Sequence, residues 1–164
     1  MPTTQELQNL ADACKAAVAS QKITGCPADL TVPQWILESG WGLRMPPGSN
    51  NPFGIKALPG QPSVAVPTQE FVDGVEGTYL QNFRAFDSLT DAFNSHGLLI
   101  ATGKPYQAAF AQYEQDHNIV TLIKGVAARY ATAPTYATQL LTLLQEKPVQ
   151  QALVFAKIAA GVPA

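Results

Sequence analysis

A chain of 164 residues has the length of one domain, enough to bury a core without staples, and residues 1 to 164 are read as a single catalytic-size unit. Apolar residues make up 46% and charged residues 13%, which excludes a disordered chain. Ten Lys and Arg stand against twelve Asp and Glu with no basic run, so the electrostatic footprint of a nucleic-acid or anionic-membrane partner is missing.

Thr3 followed by Glu6 has the form of a capping box, and Leu7, Leu10, Ala11, Cys14 and Val18 recur at helical spacing. These predict a first helix over Thr4 to Ser20, broken by Thr24-Gly25-Cys26-Pro27. Cys14 and Cys26 are too few, and lack the paired His, for a zinc site. One disulfide between them is compatible with the count, but Cys14 lies on the apolar stripe and reads as a small buried hydrophobe.

Thr31 is expected to cap a second helix that tolerates Pro33 in its early turn, places Glu38 near its end and leaves through a left-handed Gly40. From Leu43 to Pro67 the density of Pro and Gly predicts a loop over a cleft. Strand-like residues from Thr68 to Phe86 predict a small hairpin with its loop near residues 73 to 77. Ser88 with Asp91 then starts a helix whose Leu89, Ala92, Phe93, His96, Leu99 and Ile100 share a face, until Gly103-Lys104-Pro105 ends it. Further helices are expected at Tyr106 to Gln112, Asp116 to Ala128, Pro134 to Leu144 and Val149 to Ala160. Helices interrupted by one short sheet make an α+β, mostly helical domain.

One acidic residue stands out. Glu38 lies among Trp35, Trp41 and Phe53, and a carboxyl group stripped of hydration by such neighbours has its pKa raised toward general-acid duty at neutral pH. The hairpin offers Glu70, Asp73 and Glu76 as a second carboxylate, with Asp73 beside Gly74 better explained by the turn. Trp41 and Phe53 are candidates to offer an aromatic face to a ligand or to pack in the core. His96, on an apolar helix face, reads as a satisfied core histidine.

Glu38-Ser39-Gly40-Trp41-Gly42, followed by Asn50-Asn51-Pro52-Phe53-Gly54-Ile55-Lys56, resembles the paired signature of the bacterial endo-β-N-acetylglucosaminidases of glycoside hydrolase family 73. Phe83-Arg84-Ala85-Phe86-Asp87-Ser88-Leu89 resembles that family's Phe-Arg-x-Tyr-Asp-Ser-Leu segment. Tyr130-Ala131-Thr132-Ala133-Pro134-Thr135-Tyr136-Ala137 resembles its Tyr-Ala-Thr-Asp-Pro-x-Tyr-Ala, departing from it at Ala133, where an Asp is usual.

The resemblance implies a lysozyme-like fold, with a helical lobe and a small β lobe facing each other across a glycan-binding groove, and no metal or organic cofactor. It implies Glu38 as general acid. The run Thr68-Gln69-Glu70-Phe71-Val72-Asp73-Gly74 resembles the family's Thr-Thr-Glu-Tyr-x-x-Gly and so selects Glu70 as the second carboxylate. Tyr130 is expected in the cleft near the reacting sugar, and Tyr136 of the same block at the substrate. The implied activity is cleavage of the peptidoglycan glycan strand after N-acetylglucosamine, a linkage choice favoured over that of a muramidase by the Asn-Asn-Pro-Phe-Gly-Ile-Lys block. An inactive glycan-binding module is the alternative of another class, and retention of both Glu38 and Glu70 argues against it.

The N-terminus shows no secretory signal, and no apolar run reaches membrane-spanning length. The expectation is therefore a chain made in the cytoplasm and acting in the cell wall of a target cell. The preferred form is an antibacterial effector of a type VI-like secretion machine, with a cognate immunity protein occluding the cleft, and a phage endolysin is the alternative.

Overall fold

The structure of the protein is a computed structural model and describes residues 1–163, so that Ala164, the last residue of the expected domain, lies outside them. Helix α1, Thr4–Thr24, opens with the expected capping box: Glu6 N–H donates to Thr3 Oγ1 at 3.2 Å and Thr3 N–H donates to Glu6 Oε2 at 2.6 Å. It runs four residues past Ser20 because nothing before Gly25 requires a left-handed backbone, and Gly25, at φ 77°, supplies one.

Helix α2, Ala28–Ser39, departs from expectation at its start. Pro27 is the N-cap, and the Ala28 N–H is satisfied by Gln21 Oε1 of α1 at 2.9 Å, a tertiary bond that makes a local cap unnecessary. Thr31 is therefore buried inside the helix instead of capping it, and Pro33 sits in the second turn. Asp29 in the first turn takes Lys157 of the last helix at 2.8 Å, with charge of the sign that a helix N-terminus favours.

Strands β1, Ser63–Val72, and β2, Val75–Arg84, form an antiparallel hairpin. β1 begins earlier than Thr68, and Pro67 lies within it, since each strand of a two-stranded sheet is an edge that tolerates a missing N–H. The turn is the two residues Asp73 and Gly74, both at positive φ (50° and 81°), as a tight hairpin turn of this hand requires. Val64, Val66, Thr68 and Glu70 are half-buried on one face, while Ala65, Pro67, Gln69 and Phe71 are exposed on the other.

The helical region resumes with α3, Leu89–Thr102, capped by Ser88 Oγ accepting from Asp91 N–H at 3.1 Å. A 3₁₀ turn at Lys104–Tyr106 leads to α4, Gln107–Asp116, α5, Ile119–Tyr130, α6, Tyr136–Gln145, and α7, Lys147–Ala160. The buried stripe of α3 is narrower than its periodicity suggested: Ala92, Phe93, His96 and Ile100 are buried, but Leu99 is exposed. One core cluster joins α1, α2 and α7 around Trp35 and Phe93, and a second joins α2, α5 and α6 around Leu30, Leu122 and Leu140. Cys14 belongs to the first and Cys26 to the second, so both are free thiols instead of a disulfide, their pKa values pushed up by burial to about 12. No helix among the described residues is long and apolar enough to cross a membrane.

The loop between α2 and β1 is irregular but pinned. Asn51 is fully buried; its Nδ2 donates to the carbonyls of Ile55 (2.8 Å) and Arg84 (2.9 Å), and its Oδ1 accepts from Ile55 N–H (3.0 Å). Asn50 Nδ2 donates to the Phe86 carbonyl at 3.0 Å. The Asn-Asn pair thus staples the loop to the foot of the hairpin and sets how the β lobe stands over the helices. Replacing Asn51 by Ala should cost roughly 2–4 kcal/mol, the net worth of several buried hydrogen bonds plus the groups left unpaired. Urea unfolding of the variant checks this, and a midpoint indistinguishable from wild type would remove the staple role.

Candidate active site

Glu38 occupies the last turn of α2, and the chain turns away immediately behind it. Ser39 Oγ donates to the Trp35 carbonyl (2.6 Å) and accepts from Gly42 N–H (2.8 Å), while Gly40 N–H donates to the Ile36 carbonyl. Gly40 adopts φ 55°, and a Cβ there would lie 2.6 Å from Arg44 Nε, so the guanidinium folds back over the helix end through space that only glycine leaves. A cation at this position also meets the negative end of the helix dipole.

Glu38 opens onto a groove of about 380 Å³ between the two lobes, lined by Arg44, Met45, Pro46, Pro47 and Phe53 on one side and by Val66, Thr68 and Phe83 of the hairpin on the other. The carboxyl group reaches solvent through this groove, yet the surrounding protein desolvates it enough to raise its pKa above the ordinary carboxylate value. The apolar setting differs from expectation. Trp35 is buried and Trp41 half-buried, both packed in the first core cluster, and neither lines the groove; Phe53, Phe83 and the prolines do. A larger cavity of about 470 Å³ lies at the opposite face of the hairpin base, where Arg84 points, the strand neighbour of Phe83. Glu38 does not line it, and the smaller groove that Glu38 does line is the candidate site.

Behind Glu38 stands a layer of buried rings. His96 stacks on Phe53 with centroids 3.9 Å apart and meets Tyr130 edge-on at 5.8 Å; Tyr130 in turn stacks on Tyr136 at 5.6 Å. Burial, and secondarily the charge of Glu38, pushes both phenol pKa values up, so both hydroxyls stay protonated. His96 is the satisfied core histidine expected: it is 1% exposed, burial pulls its pKa down to about 3, and Nε2 lies 2.9 Å from Gln34 Oε1.

Glu70 is on the groove-facing side of β1, two residues beyond Thr68, roughly 6–7 Å further along the strand. Thr68 Oγ1 donates to its Oε1 at 3.4 Å. Asp73 is spent on the turn and Glu76 pairs with Phe71 on the outward face. Tyr130 and Tyr136, from α5 and α6, are brought within reach of Glu38's charge across a connection in which Ala133 accepts the Tyr136 N–H through its carbonyl. Phe53 is 8% exposed, and one of its faces is covered by His96, so it forms a wall more than an open platform. Sequence reasoning passed over Gln34, Arg44 and Asn51 as individual residues. Gln34 carried a signal: it is the one amide in the apolar run Val32 to Ile36, one helical turn before Glu38. Among the described residues no group of three His, Cys, Asp or Glu is placed to hold a metal.

A helical lobe, a two-stranded β lobe and a desolvated carboxyl group in the groove between them define a lysozyme-like glycoside hydrolase domain. Residues 14–147 match the model of the glucosaminidase family, described as mannosyl-glycoprotein endo-beta-N-acetylglucosaminidase. The chain belongs to that family. It is 30% identical over 138 residues to the peptidoglycan hydrolase FlgJ of Salmonella typhimurium, which is 80% of this chain and 42% of FlgJ, so it spans less than half the length of that relative. A C-terminally truncated glycoside hydrolase domain of the same FlgJ superposes with a TM-score of 0.68 at 26% identity, over 89% of this chain and 96% of that one. The catalytic domain of the autolysin Auto from Listeria monocytogenes shares the fold, with a TM-score of 0.74 at 24% identity over 93% of this chain and 89% of that one.

The raised pKa of Glu38 has a consequence for stability. A carboxyl group whose folded-state pKa lies above its unfolded value binds protons more tightly when folded, so stability is highest below the unfolded pKa and declines as pH rises through the folded one. Glu38→Gln should therefore have a higher thermal midpoint than wild type at neutral pH, and the gain should vanish toward pH ~4, in the ordinary carboxylate range. Calorimetry across that range checks it, and a gain independent of pH would mean that the carboxylate is not desolvated.

Proposed function

We propose that this domain hydrolyses the glycan strand of peptidoglycan after N-acetylglucosamine, with Glu38 as the general acid. The observation that carries this reading is the placement of a carboxyl group of raised pKa on the wall of the interlobe groove of a glucosaminidase-family chain. The FlgJ relative, a peptidoglycan hydrolase, supports the substrate class.

In this mechanism Glu38 gives its proton to the glycosidic oxygen as the C1–O bond breaks, the bonding electrons leave with that oxygen, and positive charge develops at C1. Water completes the reaction at C1. Glu70 takes the proton of that water or holds the cation, depending on the span across the bound sugar, and the acetamido oxygen of the substrate is the competing nucleophile. Tyr130 and Tyr136, held protonated by burial, offer O–H donors beside the acid. Phe53 shapes the sugar-binding wall, and Trp41 acts through packing.

Glu38→Gln should lower hydrolysis roughly 10²- to 10⁴-fold while glycan binding persists, because the amide keeps the volume but has no acid proton. Activity within about threefold of wild type would overturn the acid assignment. Glu70→Gln should lower kcat more than it changes KM, whereas Asp73→Asn and Glu76→Gln, at the turn and on the outer face, should be mild. Mass spectrometry of the reducing ends released from purified sacculi separates a glucosaminidase from a muramidase, and binding without any release identifies a glycan-binding module.

The finer biological reading is an antibacterial effector whose groove is covered by an immunity protein. A concave site about 380 Å³ in volume accepts a protruding loop of a partner, which supports the occlusion mode. Expression directed to the periplasm should lyse the host unless Glu38 is replaced, while cytoplasmic expression should be tolerated. Equal toxicity from both compartments would count against wall hydrolysis.

A further inference from the structure

We propose that Arg44 is a specificity-determining residue: its guanidinium receives a carboxylate carried on the lactyl arm of the N-acetylmuramic acid unit whose 4-oxygen takes the proton from Glu38. The inference deepens the reading of cleavage after N-acetylglucosamine and rests on it. Arg44 is the one basic side chain among the described residues that line the Glu38 groove. Its place is set by the backbone, because its N–H donates to the Ser39 carbonyl at 2.7 Å and holds the residue against the end of α2. Its Nε and Nη2 lie 2.6 and 3.0 Å from where a Cβ on Gly40 would stand, with Cζ further off at 3.2 Å. That edge of the guanidinium therefore faces the helix end, and the remaining nitrogen, Nη1, points away from it with its two N–H donors.

The dipole of α2 explains a cation here but not what its remaining donors serve. Among the described residues Arg44 forms no ion pair: the salt bridges join Lys15 to Asp12 and Lys157 to Asp29. Glu38 does not fill the role, since burial shifts it upward, opposite to the shift that a paired cation produces. An unpaired guanidinium on the wall of the acid's groove calls for an anion from the substrate, and its fork suits a carboxylate. The two sugars of the glycan strand differ in one group, a lactyl ether on the 3-oxygen of N-acetylmuramic acid, which ends in a carboxyl group or in the stem peptide joined to it. Cleavage after N-acetylglucosamine makes the 4-oxygen of that muramic unit the leaving atom. The lactyl arm then hangs from the neighbouring ring carbon, beside the oxygen that Glu38 has to reach and on the wall that carries Arg44. Cleavage of the other linkage would put the arm on the sugar whose C1 reacts, with the acetamido carbon between. The contact holds the leaving unit in register with the acid and discriminates against strands that lack a charged arm.

The test measures kcat/KM of wild type and Arg44→Gln on two pairs of substrates. The first pair is glycan strands freed of stem peptides, whose lactyl arms end in free carboxylates, and the same strands converted to lactyl methylamides. The second is strands bearing stem peptides, before and after the same conversion of their carboxylates. In one pair or both, wild type should favour the charged strand roughly 10-fold, the lower end for a hydrogen bond to a charged group, as an exposed side chain gives. Arg44→Gln should reduce that preference to about twofold or less. A preference in the peptide-free pair identifies the lactyl carboxylate itself as the partner, and one confined to the stem-bearing pair identifies a carboxylate of the stem. Equal turnover of charged and neutral strands by wild type, or a preference that survives in Arg44→Gln, overturns the proposal. So does a loss in Arg44→Gln shared equally by all the strands, because a cation that only steadies the helix end cannot tell them apart. Arg44 is exposed and its bond to Ser39 is made by the backbone, so the variant should keep its thermal midpoint; were it not to fold, equal turnover by wild type still suffices for rejection. Reducing-end analysis of the same digests separates the two levels. Muramic acid ends remove the linkage reading and this inference with it, whereas N-acetylglucosamine ends with equal turnover of charged and neutral strands overturn this inference only.

Discussion

Helix α2 stops directly after the turn that carries Glu38, and the backbone groups freed by that stop have to be satisfied without covering its carboxyl group. Ser39 solves the second problem from inside, bridging the Trp35 carbonyl and the Gly42 N–H. Gly40 and Gly42 solve the first, adopting left-handed φ values of 55° and 79° where a side chain would strike Arg44 or the Trp35 ring. An additional helical turn would carry the chain across the groove mouth. A looser exit would hydrate the carboxyl and lower its pKa toward the ordinary carboxylate value.

Apolar side chains dominate the groove walls, with Glu38, Arg44, Asn51 and Thr68 as its polar groups, and the upward pKa shifts of Glu38 and of the two tyrosines have the same leading cause: burial. The rings behind the acid transmit position from α3 to α5 and α6, since His96 touches both Phe53 and Tyr130 and Tyr130 lies on Tyr136. Such a layer is rigid because its members are flat, packed face to face or edge to face, and have few torsions. The hairpin faces this rigid assembly from a separate lobe, held at its foot by the Asn51 carboxamide instead of by a shared core. Its outer face leaves Phe71 and Leu80 exposed, which a fully docked sheet would not do.

Most of what was legible in the sequence was local chemistry. The capping box at Thr3, the side-chain cap at Ser88, the stops at Gly25, Gly40 and Gly103, and the two-residue turn at Asp73-Gly74 follow from short-range propensities, so the helices and the hairpin fall within a few residues of where periodicity puts them. The candidate acid stood out in the sequence for the same reason: a carboxylate in an apolar run beside a glycine break is unusual in any context. Tertiary contact decided the rest. It moved the start of α2 from Thr31 to Ala28 because a distant Gln21 caps it, packed the half-buried Trp41 against the first core cluster where an open stacking surface was conceivable, and separated Cys14 from Cys26 into two clusters. It also turned Glu70 toward the groove and Glu76 away from it. Gln34 reads as a stray amide until the fold sets His96 against it, because partners brought together over 62 residues of chain leave no periodic trace.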